Sequence, residues 1–413
     1  MQFTRLQLAS GVLMTQKDFT LRLLFLCVSH TLLHVYTNLP LALLPILIKE
    51  YELSIFLASI AISIPRGLSL IFLVPSGLLA DRLSHTKLIS LSLLLEAIAA
   101  TLIVISSTLE TVVLCFSLTA LASTLYHPSA LSATTSILPT DFVNRGLGFH
   151  GGSGTLGIAL GPITLGLVLN LLGWRYAYLI WIAPILAIAA TALFVKMDES
   201  LPAEHDERKK KNLITPLKDV MSVTFLSFLL LVLFISAAGG TISTYLTTYL
   251  TESKGLDTSL ASIIFGLSPM LGLASVIIGG YFGDKIGWKR ALTVIISTVI
   301  GSLFLMLVST SPAQTVLFFF SYGFFNIMTM PITTSLVTRI IPKKSRGTAF
   351  SLQFIPESII GVVMPVMLGI LISFVEIWII FPIAMVFNFI ALVITQVLDR
   401  NMRTRNRCTA NQI

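Results

Sequence analysis

The amino-acid sequence predicts an all-α membrane protein, with twelve transmembrane helices in two pseudo-symmetric six-helix halves. Three observations predict it. First, 55% of the 413 residues are hydrophobic and only 11% charged, with a mean hydropathy of +0.91, whereas a soluble domain carries about 25% charged residues. Second, predominantly apolar runs longer than about 18 residues fill almost the whole chain, and the roughly ten-residue alternation of a membrane barrel is missing. Third, the second half repeats the landmarks of the first at a fixed distance.

Hydropathy, with charges as boundaries, places the spans at 20–48, 53–80, 86–108, 111–138, 144–172, 174–196, 220–251, 258–283, 288–309, 312–341, 346–374 and 376–398. Residues 1–18 read as an N-terminal cytoplasmic tail, because Arg5, Gln7, Gln16 and Lys17 interrupt it and no compact apolar core precedes a small-residue cleavage site. The halves are residues 19–196 and 220–398. Between them, 197–219 is a cytoplasmic linker containing the polar run from Glu204 to Lys211, and 399–413 is a cytoplasmic tail. Of the 27 Lys and Arg, only Lys49, Arg175 and Lys254 fall on the opposite side and only Arg66 inside a span. By the positive-inside rule both termini then lie in the cytoplasm, which requires an even number of spans in the cell membrane. The net charge of +8 reflects this topology and contact with anionic lipid, so no nucleic-acid partner is expected.

The repeat is explicit. Gly77-x-x-x-Asp81-Arg82 recurs as Gly280-x-x-x-Asp284-Lys285, and Pro128, Pro139, Pro162 and Gly166 recur as Pro331, Pro342, Pro365 and Gly369, all 203 residues later. A constant offset through loops and spans is the trace of a duplicated transporter fold.

Both copies of the glycine–aspartate motif, Gly77-Leu-Leu-Ala-Asp81-Arg82-Leu-Ser84-His85-Thr86-Lys87 and Gly280-Tyr-Phe-Gly-Asp284-Lys285-Ile-Gly287-Trp-Lys289-Arg290, resemble the loop motif of the major facilitator superfamily. In the first copy Ser84 replaces the usual glycine. The run from Gly148 through Gly157, Gly161 and Pro162 to Gly166 on the fifth span resembles the signature of that family's drug:proton antiporters, departing from it at Leu165. His30 and His34, Leu39-Pro40, Leu44-Pro45 and Tyr126-His127-Pro128 are similar to the fosmidomycin-resistance-like exporters. The resemblance implies alternating access, with Gly77, Asp81, Arg82, Gly280, Asp284, Lys285 and Arg290 forming cytoplasmic gating contacts. Each carboxylate would cap a facing helix, with solvated loop charges as the alternative. Gly148, Gly157 and Gly161 would give the fifth span a smooth face across the halves.

Alternating access needs a polar path on the inner spans. Candidates for its lining are His30, His34 and Asn38 on the first span, Arg66, His127 and Tyr245, Tyr322 and Asn326 on the tenth, and Gln353 and Glu357 on the eleventh. Thr329 and Thr333 continue the helical stripe of Tyr322, and Ser236, Gly240, Thr244, Thr247, Thr248 and Thr251 form one on the seventh span; the alternative is that such residues simply pack helices.

Three charges lie deep in spans, where each costs at least about 2.5–3.5 kcal/mol unless paired, hydrated or neutralised. Glu357, eleven residues after Arg346, is about 16 Å into a core about 30 Å thick, which suits a carboxyl that takes up and releases a proton; a structural hydrogen bond or ion pair is the alternative. Arg66 is about 22 Å from the Asp81 end, out of snorkelling reach, and either binds an anionic substrate or pairs with Glu96 of the third span.

His34 and His127 are further proton-coupling candidates because imidazole titrates near neutrality. His30 and His34 could share a metal, but two ligands do not make a site and no cysteine or carboxylate nearby completes one, so no metal is expected. Cys27, Cys115 and Cys408 are too scattered for a disulfide framework. No Gly-x-x-x-x-Gly-Lys-Ser/Thr loop exists to bind ATP, and no nucleophile–base pair suggests an enzyme. The sequence thus predicts a cofactor-free, monomeric secondary transporter of a small amphipathic molecule, coupled to protons or another ion and working in efflux. The alternative is an ion-coupled importer or exchanger of an organic anion held by Arg66.

Overall fold

The computed structural model describes residues 5–7, 13–80, 82–139, 142–192, 194–195, 220–341 and 346–410. The expected linker, 197–219, and the gating residue Asp81 lie outside the described residues, as does Pro342.

A hairpin of β1 (Arg5–Gln7) and β2 (Leu13–Thr15) precedes the first span, where the sequence reading had only a tail. Thr15 ends it and starts α1 (Gln16–His34), its hydroxyl accepting from the Asp18 N–H at 3.1 Å. The first span is broken: α1 stops at His34, and α2 (Leu39–Ala42) and α3 (Leu44–Glu50) continue it. Pro40 explains the break, because it has no N–H for the Tyr36 carbonyl and its ring crowds that position. Leu39 N takes that carbonyl instead, at 3.3 Å, and Thr37 N takes that of His34, at 3.1 Å. Pro45 then sits in the first turn of α3, where no hydrogen bond is lost.

The remaining helices are α4 (Ile55–Ala80), α5 (His85–Ile105), α6 (Leu109–Ile137), α7 (Val143–Leu172), α8 (Tyr176–Thr191), α9 (Val223–Glu252), α10 (Thr258–Ile286), α11 (Trp288–Val308), α12 (Pro312–Ile340), α13 (Arg346–Ile372) and α14 (Ile380–Ala410). Among the described residues eleven helical segments are long and apolar enough to cross a membrane, and the apolar helix α8 makes the twelfth span. The starts of α4, α5, α6 and α7 recur in α10, α11, α12 and α13 at the same 203-residue offset as the sequence landmarks. The caps repeat too: Thr108 accepts from Thr111 N before α6, and Ser311 from Gln314 N in a full capping box before α12. One boundary differs from expectation. The last helix does not end near 398 but runs to Ala410, because Asp399 bridges Lys289 at 2.9 Å and Arg403 at 3.1 Å and so anchors its polar extension.

The chain forms two compact units. The first comprises Met1–Glu52, Ala61–Lys210 and Thr258–Leu267; the second comprises Leu53–Ile60, Lys211–Asp257 and Ser268–Ile413. Each unit thus includes the opening turns of a helix, α10 or α4, whose remainder belongs to the other. In the first unit α5 packs between α6 and α8, and α1 lies along α7. In the second, α11 packs on α12 and α14, and α9 on α13 and α14. The buried stripe of α11, from Leu292 through Ile295, Ile296 and Val299 to Leu303, follows helical periodicity, and its Leu292, Ile295 and Ile296 close a core with Phe225, Phe228 and Leu336.

Candidate functional site

The break after α1 decides where the histidines go. His34 is the last residue of α1, and its Nδ1 lies 2.9 Å from the Thr37 hydroxyl inside the break. One turn earlier His30 is buried, and its Nδ1 meets the His150 carbonyl of α7 at 2.7 Å. From α6 comes His127, exposed, whose Nδ1 meets the Ser123 carbonyl at 2.7 Å. A carbonyl only accepts, so the Nδ1 of His30 and of His127 carries the hydrogen, which in the neutral form of the ring leaves Nε2 as a bare lone pair. Those nitrogens converge: His34 Nε2 is 3.1 Å from His30 Nε2 and 3.1 Å from His127 Nε2.

Packing holds the group. The His30 ring stacks on His150 at 4.1 Å and on Tyr126 at 5.8 Å, and Tyr126 is tied by its hydroxyl to Ser29 at 2.6 Å. Gly154 of α7 makes room for it, since a Cβ there would run into the His30 imidazole. The sequence reading found three of these histidines but expected no metal, on the ground that two ligands do not make a site. The structure corrects the premise: His127, 93 residues after His34, supplies a third nitrogen, and one nitrogen of each residue lies within 4.8 Å of the others. Nothing in the spacing gave this away, because the register of α6 against α1 is set by packing.

The glycine motif of the fifth span also lands elsewhere than expected. Gly157 presses on the backbone carbonyl of Thr31 in α1 and Gly161 on that of Val35 just past its end, inside their own unit and not across the halves. Gly166 receives Ser259 and Ile263 of α10, whose opening turns belong to the same unit, and a Cβ added at Gly148 would meet nothing within 4 Å among the described residues. Pro162 lies inside α7 beside Gly161.

Among the expected cavity residues, Asn38 is half-buried at the start of α2, and Arg66 is half-buried in α4. Tyr245 is fully buried and its hydroxyl is engaged, donating to the Pro365 carbonyl at 2.6 Å and meeting Ser59 Oγ at 2.6 Å, so it works as a cross-link and not as open lining. Tyr322, Thr329 and Thr333 are buried as well, and so are Thr244, Thr247 and Thr248. Asn326 is half-buried opposite Gly239 of α9, whose missing side chain leaves room beside the amide. In α13, Gln353 is half-buried with a buried Oε1 that has no hydrogen-bond partner among the described residues. Glu357, four residues on, is exposed in the middle of α13 directly after Pro356.

Glu96 is sealed in α5. It is 1% exposed, and among the described residues it makes no ion pair while its Oε2 has no hydrogen-bond partner; the expected bridge to Arg66 is not formed. At the gating motifs, Arg82, Asp284, Lys285 and Arg290 are exposed, and Lys285 Nζ lies 5.7 Å from the Tyr281 ring. Asp284 makes no ion pair among the described residues, while Lys289 of the same motif joins Asp399. A Cβ added at Gly77 would meet nothing within 4 Å among the described residues; at Gly280 it would approach Pro331, and Gly279 and Gly283 carry the close contact of α10 with α12.

Known proteins share this architecture. A solved structure of a bacterial homologue of the human lysosomal transporter Spinster, inward-facing and unoccupied, superposes with a TM-score of 0.83 at 15% identity, over 95% of this chain and 99% of the other. The same homologue in its occupied, inward-facing conformation gives 0.80 at 17% identity, over 94% and 98%. A mutant of the peptide transporter POT in complex with alafosfalin gives 0.73 at 16% identity, over 92% and 95%. At such identities the likeness is one of fold, and function has to be argued from the site. No curated protein matches the chain in sequence. The profile of the major facilitator superfamily, however, matches residues 25–365, so the chain belongs to that superfamily.

Proposed function

We propose that this protein is a secondary active transporter that moves a small amphipathic molecule out of the cell in exchange for protons, its two six-helix halves alternating in access around a polar path. The observation that carries the coupling is Glu357. It stands mid-helix in α13, exposed and not sealed in packing, next to Pro356. A carboxyl at that depth is costly to keep charged, so it cycles between a protonated form and an ionised form met by water or a cation. Proline there removes one helical hydrogen bond, which lets the helix flex around the carboxyl.

Export is supported by the resemblance of the Gly148–Gly166 run to drug:proton antiporters. The lysine and arginine distribution supports cytoplasmic termini in the cell membrane. The partners of this reading are the substrate, the coupling proton and the lipid bilayer; it needs no nucleic acid, no enzymatic step and no second copy of the chain. Arg66 supports a second reading, an ion-coupled importer or exchanger of an organic anion, because a guanidinium half-buried well inside α4 can hold a carboxylate or phosphonate.

The deciding experiment is reconstitution into liposomes loaded with a pH-sensitive dye, with panels of lipophilic cations and organic anions. Substrate-evoked proton movement that disappears in Glu357→Gln is the expected result. Proton-silent transport, or coupling unchanged in the variant, refutes the Glu357 reading. Anion transport lost in Arg66→Gln then establishes the second one.

A further inference from the structure

We propose that His30, His34 and His127 form a binding site for a divalent transition-metal ion of the zinc class, with three nitrogen ligands and one open coordination position. The site lies wholly within the first unit and is independent of the Glu357 reading.

The argument begins with the lone pairs. His30 and His127 each commit the Nδ1 hydrogen to a backbone carbonyl, at 2.7 Å in both cases, and so turn bare Nε2 atoms toward His34 Nε2. A single hydrogen on His34 Nε2 can serve only one of them well, leaving a second pair of nitrogens 3.1 Å apart with lone pairs opposed. A cation at the point of convergence satisfies all three nitrogens together. The spacing suits it: two ligand nitrogens at 2.0–2.1 Å from a tetrahedral zinc are about 3.3 Å apart, against 3.1 Å for both pairs that include His34.

The outer shell points the same way. A metal-bound histidine almost always uses its other ring nitrogen to bond a carbonyl, carboxylate or water, which fixes tautomer and orientation. All three histidines do so here, on His150 O, Ser123 O and the Thr37 hydroxyl. The ligands project from helix ends and interiors, and His30 is clamped between two rings, so the constellation is held in place before an ion arrives.

Donor type narrows the ion. Three imidazoles without a carboxylate or thiolate disfavour calcium and magnesium, which demand oxygen, and fit zinc, with cobalt and nickel as chemical relatives. Three protein ligands also leave a fourth place, as in zinc sites that exchange a water for an incoming ligand. Exposure of His127 gives the ion a way in and leaves that place open to water or an oxygen donor.

The test uses the full-length protein, purified without a histidine tag, stripped with chelator and titrated with Co2+ and then Zn2+. Expected are one ion per chain, the visible absorption of tetrahedral cobalt, displacement by zinc, and a zinc-edge X-ray absorption spectrum with three imidazole donors. His127→Ala, at an exposed position, removes a direct ligand and should lower affinity by at least about 100-fold, the upper end of what loss of an outer-shell partner alone costs. His127→Cys should restore binding and add a thiolate-to-cobalt charge-transfer band. No saturable uptake by a wild-type sample that unfolds cooperatively, as for a cluster that holds only a proton, overturns the proposal. Equal uptake by wild type and His127→Ala also overturns it.

Discussion

Gly166 of α7 and Gly369 of α13 occupy equivalent places in the 203-residue repeat, and each bears the opening turns of a helix: Gly166 meets Ser259 and Ile263 of α10, Gly369 meets Phe56 and Ser59 of α4. The two contacts are built from different atoms. At Gly166 the nearest obstacle to a side chain is the Ser259 backbone carbonyl, whereas at Gly369 it is the Ser59 side chain, with the Phe56 Cα at 3.2 Å behind it.

Alanine at either glycine therefore overpacks a close contact and should cost about 1–3 kcal/mol. The two should differ in rescue. Ser59→Gly should recover part of the loss in Gly369→Ala, giving a favourable coupling in a double-mutant cycle of unfolding in detergent. Ser259→Gly should recover nothing in Gly166→Ala, because the carbonyl stays. Coupling of the same size in both cycles would show that these contacts are not as described.

Ser84 and Gly287 start α5 and α11 at the same point of the repeat and solve the turn in opposite ways. Ser84, at φ −57°, accepts from Lys87 N with its hydroxyl, while Gly287, at φ +82°, caps without a side chain. Ser84→Gly should cost only a few tenths of a kcal/mol. Gly287→Ser should cost about 1–2 kcal/mol, since an L-residue pays for the left-handed backbone. Melting temperatures of the two variants in one detergent check the asymmetry; equal shifts would contradict it.

Tyr245 closes a buried relay: its hydroxyl donates to Pro365 O and meets Ser59 Oγ, both at 2.6 Å, while the Ser59 hydroxyl also reaches the Ile55 carbonyl one turn back. Tyr245→Phe should destabilise the protein by about 1–2 kcal/mol through the loss of two buried bonds. Ser59→Ala should cost less, because the Tyr245 to Pro365 bond survives it. The order of the two unfolding midpoints is the measurement, and a reversed order would refute the relay.

Much of this architecture is legible in the sequence, for a physical reason. Bilayer thickness fixes helix length, so hydropathy with charges as boundaries places α4 to α13 within a few residues, and duplication writes the same boundaries twice. Pairing between helices is not written in this way. His127 sits beside His34 only because α6 and α1 pack in one register, and no sequence pattern shows that Glu96 makes no ion pair among the described residues. The helical extension past 398 escaped notice because it is polar, its anchor being the junction of Lys289, Asp399 and Arg403.

Glu96 yields the last prediction. Its carboxyl is buried in α5 with Oε2 unpartnered among the described residues, and the Tyr178 hydroxyl is likewise buried with no partner among them. A buried polar group left unsatisfied costs about 1–3 kcal/mol. Methionine has nearly the same length and no such cost, so Glu96→Met should raise stability by an amount in that range. Glu96→Gln, which keeps the polar atoms, should gain less. Thermal unfolding of the three proteins gives the ranking directly. If Glu96→Met were instead less stable than wild type, the carboxyl would have to make a favourable interaction in the membrane, and its place in the first unit would be that of a ligand and not of a tolerated burial.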